Sequence, residues 1–229
     1  MDEISFYGLQ KTTLLDYPGY VACIIFTRGC NMKCPFCHNK SLLTGNQQKP
    51  IDFWGFLEKR KGILDGVVIS GGEPLLYETE DVLSRIKDMG YRIKLDTNGT
   101  SPKKLERLIK NGFVDYVAMD VKHEPKKYSL ATGTDTNMAA IQKSIDLLMN
   151  GPIEYEFRTT VVRGIHSKED LLKLAEWIKG SKRYYLQQYR KPEIGCIDSL
   201  SAFSDEEMKK ICMSVRNVIP NTELRGIEL

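Results

Sequence analysis

Long apolar runs are missing from this chain. No stretch of its 229 residues approaches the roughly 20 needed to span a bilayer. A charge of one sign is missing too. The net charge of +3 is too small to argue for a nucleic-acid partner. No linker or low-complexity tract divides the sequence, so one domain over 1–229 is expected. The opening Met1-Asp2-Glu3-Ile4-Ser5 is acidic and polar, unlike a secretory signal. A cytoplasmic setting with reduced cysteines is therefore expected. Histidine is scarce, limited to His38, His123 and His166, and no acid–base dyad stands out.

What is there is a cluster of cysteines. Of six, Cys30, Cys34 and Cys37 stand in a Cys-x3-Cys-x2-Cys spacing behind the apolar run 20–26. Three thiols cannot all pair with one another as disulfides, whereas three thiolates this close can wrap a soft metal centre. A zinc site would take His38 or another residue as its fourth ligand. An iron–sulfur cluster normally takes four cysteines, and no fourth lies nearby, which would leave one iron open. Cys23, inside the apolar run, and Cys212, on an apolar helix face, read as core residues. Cys196 reads as a loop residue.

Around this loop the chain alternates. Apolar segments at 20–26, 66–70, 91–95, 116–119, 153–162 and 184–189 read as strands, separated by segments of helical period. Asp52, Ser101-Pro102, Ser167 with Asp170, and Ser204 with Glu207 are helix starts. Asp16-Tyr17-Pro18-Gly19 is a turn, so 1–19 reads as an arm or hairpin and 20–229 as the body. Six strand–helix units predict an α/β protein with a parallel sheet wound in one direction. Six fall short of the eight of a closed barrel, which predicts an open, partial (β/α)6 barrel of the TIM type. Chemistry in such folds collects where strands end. Here those ends carry the cysteine loop, Gly71-Gly72-Glu73-Pro74, Asp96-Thr97-Asn98-Gly99, Asp120-Val121-Lys122, the stretch after Arg158, and Gln187-Gln188-Tyr189-Arg190.

The triple-cysteine loop with Phe36 before its last cysteine, followed by Gly71-Gly72-Glu73-Pro74, resembles the radical S-adenosylmethionine (radical SAM) superfamily. It is similar in particular to activating enzymes of glycyl-radical enzymes. The opening, Gly8-Leu9-Gln10-Lys11 through Leu15-Asp16-Tyr17-Pro18-Gly19, looks like the longer form of the anaerobic ribonucleoside-triphosphate reductase activating protein. The resemblance covers essentially the whole chain and implies a radical SAM core with the barrel inferred above.

It also implies a 4Fe-4S cluster on Cys30, Cys34 and Cys37, with S-adenosylmethionine on the open iron. Phe36 would lie beside the adenine, and Gly71 and Gly72 would let the backbone approach closely. Glu73 would meet the methionine ammonium. Asp96, Asn98, Asp120 and Lys122 would line the ribose, carboxylate and sulfonium region, with the two aspartates helping to hold a monovalent cation. Arg158 is a candidate for the carboxylate or, equally, for a structural salt bridge. The implied reaction takes one electron from reduced flavodoxin or ferredoxin, cleaves S-adenosylmethionine and removes a hydrogen from a glycine of the partner. That partner is anaerobic ribonucleotide reductase or, alternatively, another glycyl-radical enzyme of the pyruvate formate-lyase type. The related activase carries a histidine where this chain has Gln187 to Arg190, so no role passes to Arg190. The auxiliary ferredoxin-like insert of some activases is absent from the sequence.

Overall fold

The computed structural model describes residues 6–44, 51–192 and 197–227, so the loop expected around Cys196 lies outside the described residues. One eight-stranded sheet runs through them in sequential order: β1 (Phe6–Thr13), β2 (Ala22–Thr27), β3 (Gly66–Gly71), β4 (Arg92–Thr97), β5 (Tyr116–Asp120), β6 (Glu154–Val161), β7 (Tyr184–Gln188) and β8 (Thr222–Arg225). β1 pairs antiparallel with β2, and every later pair is parallel. The helices are α1 (Lys40–Thr44), α2 (Phe53–Lys59), α3 (Glu80–Asp88), α4 (Pro102–Lys110), α5 (Tyr128–Thr132), α6 (Met138–Asn150), α7 (Lys168–Trp177) and α8 (Asp205–Arg216).

This is the partial, open barrel expected from the sequence, with one addition. Of the two readings for 1–19, the described residues 6–19 take the hairpin, β1 hydrogen-bonding antiparallel along β2 as an edge of the sheet. A further parallel strand, β8, follows the six anticipated ones. Its four residues, Thr222-Glu223-Leu224-Arg225, are too short and too charged to show strand periodicity. Start signals behaved largely as expected. Asp52 accepts from the Gly55 amide, and both Ser167/Asp170 and Ser204/Glu207 form complete capping boxes. Ser101 precedes its N1 proline but makes no side-chain cap.

The two faces of the sheet differ in chemistry. Outward side chains such as Cys23, Ile25, Val67, Ile69, Ile93, Leu95, Val117 and Met119 pack into the main core, as do Leu83, Leu105 and Ile145 from helices. Cys212 is buried in that core as well. Inward side chains, two residues apart along each strand, begin apolar at the bottom. There Tyr17 from the β1–β2 connection packs with Ala22, Ile24, Val68 and Tyr116. Higher up they turn ionic, with Lys94 and Asp96 on β4, Asp120 on β5, and Glu156 and Arg158 on β6. Arg225 of β8 donates two hydrogen bonds to Glu156, at 2.7 and 2.9 Å, a bidentate pair that ties the edge strand inward.

Candidate active site

The cysteine loop leaves the top of β2 and is fastened on two sides. The Glu73 amide donates to the Gly29 carbonyl at 2.9 Å and the Tyr77 hydroxyl to the Arg28 carbonyl at 2.7 Å. Farther along, the Lys33 amide donates to the Thr132 carbonyl at 2.8 Å. Met32 is buried in the main core, and Phe36 packs with Val162, Ile165, Tyr189 and Leu200. These anchors leave Cys30, Cys34 and Cys37 as free, partly buried thiols. Burial pushes the Cys34 thiol up to about 11, with Lys122 pulling the other way. A thiolate there is poorly solvated, and a bound metal is what would hold its charge. Among the described residues, no three His, Cys, Asp or Glu side chains are grouped to hold one metal ion. A cluster that places each thiolate on a different iron does not need them to be.

Gly71 and Gly72 sit where β3 passes the start of this loop. Gly71 has a φ of 126°, and a Cβ there would lie 2.3 Å from the Thr27 nitrogen. A Cβ on Gly72 would lie 1.7 Å from the Gly29 carbonyl oxygen. Both neighbours are backbone, so only glycine fits. Glu73 follows with no exposed surface. Its carboxylate accepts from the Leu75 amide at 3.1 Å, the Asn98 amide at 2.6 Å and the Thr97 hydroxyl at 2.8 Å. Burial nevertheless pushes the carboxyl up to about 7. The side chain thus joins the ends of β3 and β4 from within, rather than facing the cavity that its neighbours line.

The ionic column ends here. The Arg158 Nε donates to Asp120 Oδ1 at 2.9 Å and its Nη1 to Asp96 Oδ2 at 3.2 Å. The Lys122 Nζ donates to Asp120 Oδ2 at 2.8 Å, Lys94 pairs with Asp96 Oδ1, and the Ser70 hydroxyl donates to Asp96 Oδ2 at 3.1 Å. Arg158 therefore fills the structural salt-bridge role that the sequence left open. All four aspartate oxygens have cationic side-chain partners, Lys94 and Arg158 on Asp96 and Lys122 and Arg158 on Asp120. The Arg158 and Lys122 charges overcome desolvation to hold the Asp120 carboxyl far below the usual carboxylate range. At this end of the column Lys94, Lys122 and Arg158 face Asp96 and Asp120, while Glu156 below is matched by Arg225, leaving an excess of positive charge that suits an anionic ligand group.

Two adjoining cavities occupy the barrel mouth. The inner one, about 160 Å³, is lined by Cys30, Cys34, Gly72, Asp96, Asn98 and Arg158, among others. The outer one, about 290 Å³, is lined by Phe36, Thr160, Gln187 and Arg190, among others, and the two share Asn39, Gly71, Gly72, Asp120 and Lys122. Of the twelve residues singled out from the sequence, ten line this mouth, whereas Glu73 lies behind its wall and Cys37 lines neither cavity. Lys94 and Ser70 were missed, although a lysine two residues before Asp96 in a buried strand carries the same signal that marked Arg158. His123 and His166 were also missed. They stack with ring centroids 4.8 Å apart. The Val162 amide donates to His166 Nδ1 at 3.1 Å, so Nε2 carries the proton and meets the Lys122 carbonyl at 2.9 Å. That contact fixes the backbone beneath Lys122.

Burial lowers His166 to about 4. A base depressed in the fold contributes stability that is complete above its unfolded value near 6.5 and is lost as pH falls toward 4. The wild-type protein is expected to lose about 3 kcal/mol over that window relative to His166→Gln, read from urea midpoints at each pH.

With this geometry in view, comparison with known proteins is direct. Residues 24–178 match the Radical SAM superfamily. A protein of Methanocaldococcus jannaschii named for glycyl-radical enzyme activation is 34% identical over 224 residues, spanning 92% of this chain and 86% of its own length. The pyruvate formate-lyase-activating enzyme of Clostridium pasteurianum is 28% identical over 187 residues, 76% of this chain and 75% of its own. A solved domain of a pyruvate formate-lyase-activating enzyme from Bacteroides vulgatus shares the fold, with a TM-score of 0.58 at 20% identity. That match covers 70% of this chain and 99% of the domain. The chain belongs to the radical SAM superfamily and, within it, to the glycyl-radical enzyme activating enzymes, a family of 4Fe-4S and S-adenosylmethionine enzymes.

Proposed function

We propose that the chain activates anaerobic ribonucleoside-triphosphate reductase in the cytoplasm by removing a hydrogen from one of its glycines. In this reading Cys30, Cys34 and Cys37 hold the 4Fe-4S cluster, and S-adenosylmethionine extends from the inner cavity into the part of the outer one that Phe36 lines. Bound together, the two supply a one-electron reductive cleavage that yields methionine and a 5′-deoxyadenosyl group able to take a hydrogen atom.

The chain's own residues bind and orient. Lys122, held against Asp120, offers its charge toward the methionine carboxylate. Gly71 and Gly72 present bare backbone to the methionine end. Asp96 and Asn98 close the ribose side, and Phe36 with its apolar neighbours keeps water from the adenine side. Glu73 acts from behind this wall by fixing the Asn98 amide, and Arg158 acts by fixing both aspartates. The observation that carries the proposal is the placement of three free thiols beside a buried, net-positive column at the ends of parallel strands. The outer cavity, open to solvent, gives a glycine-bearing loop its approach.

Two features bear on the partner. The segment Gly8 through Gly19 resembles the reductase activators, and its β1 strand is an integral edge of the sheet. The Clostridium pasteurianum relative favours a second reading, with pyruvate formate-lyase as the partner. The test is anaerobic reconstitution followed by dithionite and S-adenosylmethionine. Wild-type protein is expected to be brown and to release 5′-deoxyadenosine, and Cys34→Ala to lose both the colour and the product. Product from Cys34→Ala at the wild-type rate would refute the ligand assignment. Electron spin resonance of mixtures with each candidate partner then assigns the glycyl radical. Reduced flavodoxin or ferredoxin is the proposed physiological donor.

A further inference from the structure

Reductive chemistry in the barrel mouth needs an electron from outside, and the mouth itself is taken up by cofactor and partner. A separate cleft of about 380 Å³ lies between α4 and α6, lined by Thr100, Lys103, Lys104, Asn137 and Lys143. No carboxylate is among the residues that line it, and none of them lines the outer cavity of the mouth. Lys103 and Lys143 are exposed and have no ion-pair partner among the described residues, whereas Lys104 pairs with Glu78 at 3.0 Å.

One wall of this cleft is wired to the cysteine loop. The Asn31 Nδ2 donates to Thr100 Oγ1 at 2.9 Å, and the Thr100 hydroxyl donates to Asn98 Oδ1 at 2.7 Å. The Asn98 Nδ2 closes the ring on Asn31 Oδ1 at 2.9 Å and also reaches Cys30 Sγ at 3.8 Å. Three polar side chains are thus spent on one another between a cluster thiol and a basic surface. None of them supports a strand pairing. α6 is held in register with this ring through the Ser144 hydroxyl, which donates to the Gly99 carbonyl at 2.7 Å.

We propose that this basic cleft is the docking surface for an acidic one-electron carrier protein, with the Asn98–Asn31–Thr100 ring joining it to the cluster at Cys30. The proposal rests on the activase reading given above. In the transfer the carrier is oxidised by one electron and the cluster is reduced by one. No bond forms or breaks, and the ring keeps its protons. Cleft and outer cavity share no lining residue, so carrier and glycine-bearing partner engage different side chains.

The test compares two reductants on reconstituted protein, using loss of cluster absorbance in stopped flow. The double variant Lys103→Glu/Lys143→Glu lies outside the cofactor site. Its reduction by reduced flavodoxin is expected to be about tenfold or more slower at low salt, because steering charges act on encounter rates at this scale. The wild-type rate should fall as salt rises and the variant's should not. Bleaching by dithionite, which needs no docking surface, should match wild type. Flavodoxin reducing the double variant at the wild-type rate and salt dependence overturns the proposal. So does an equal slowing with dithionite, which would put the lysines' effect on the cluster itself. Failure of the activase reading looks different, since wild-type protein would then bleach with both reductants yet leave no glycyl radical on either candidate partner.

Discussion

Replacing Arg158 with Met is expected to destabilise the protein by about 3–5 kcal/mol, the range found when one partner of a buried charge network is removed. The side chain is 11% exposed and bonds to two carboxylates on different strands. Its loss leaves Asp96 and Asp120 facing each other with one lysine apiece. For a chain of this size the thermal midpoint should fall by about 2–4 °C for each kcal/mol. Arg158→Lys should recover only part, because one ammonium cannot span the two carboxylates as the planar guanidinium does. The informative variant is the double, Arg158→Met/Asp120→Asn. With one orphaned charge removed it should be more stable than the sum of the two single losses allows, by roughly 1 kcal/mol or more, since groups within one network couple. Simple additivity, read from denaturant midpoints, would mean that the column is not a single electrostatic unit.

Gly72→Ala should have the opposite profile, with a small effect on global stability and a large one on cofactor loading. Its methyl would be driven into the Gly29 carbonyl, one residue before Cys30, and neither backbone can yield without moving the loop. Cluster incorporation, measured as iron per chain, is expected to fall about tenfold or more, a loss worth 1.4 kcal/mol or more in apparent affinity. Gly90→Ala is the matched control. It also has a positive φ, 91°, but nothing lies within 4 Å of its added Cβ. Strain of about 1 kcal/mol should be its whole effect, with iron content unchanged. Equal iron loss in both variants would refute the steric account.

Much of this was legible in the sequence. Strand and helix alternation gave the barrel, because buried parallel strands are apolar and bounded by glycine or caps. Of the residues that meet in the mouth, those at strand ends were visible as polar interruptions after apolar runs. Glu73 shows the limit of that reasoning. Its position marked it as part of the site, but only the fold reveals that its carboxylate turns inward to three donors. The orientation of a side chain at a turn depends on partners tens of residues away, here Thr97 and Asn98. The edge strand β8 was hidden for a related reason. Its inward charge is matched by Glu156, a partner that no local pattern can indicate. The ring of Asn31, Asn98 and Thr100 likewise joins two loops whose proximity is a property of the sheet alone.

The inverted polarity of the sheet, apolar toward its helices and ionic toward its axis, has an evolutionary corollary. Stability drawn from the outer layer and chemistry seated in the inner one depend on alternate residues of the same strands. A substitution at the outward parity alters how firmly the barrel holds together, and one at the inward parity alters what the barrel can bind as well, with a stability cost where, as at Arg158, it breaks the ionic column. Selection can therefore retune the reaction one inward position at a time while the outer seam between sheet and helices keeps the fold.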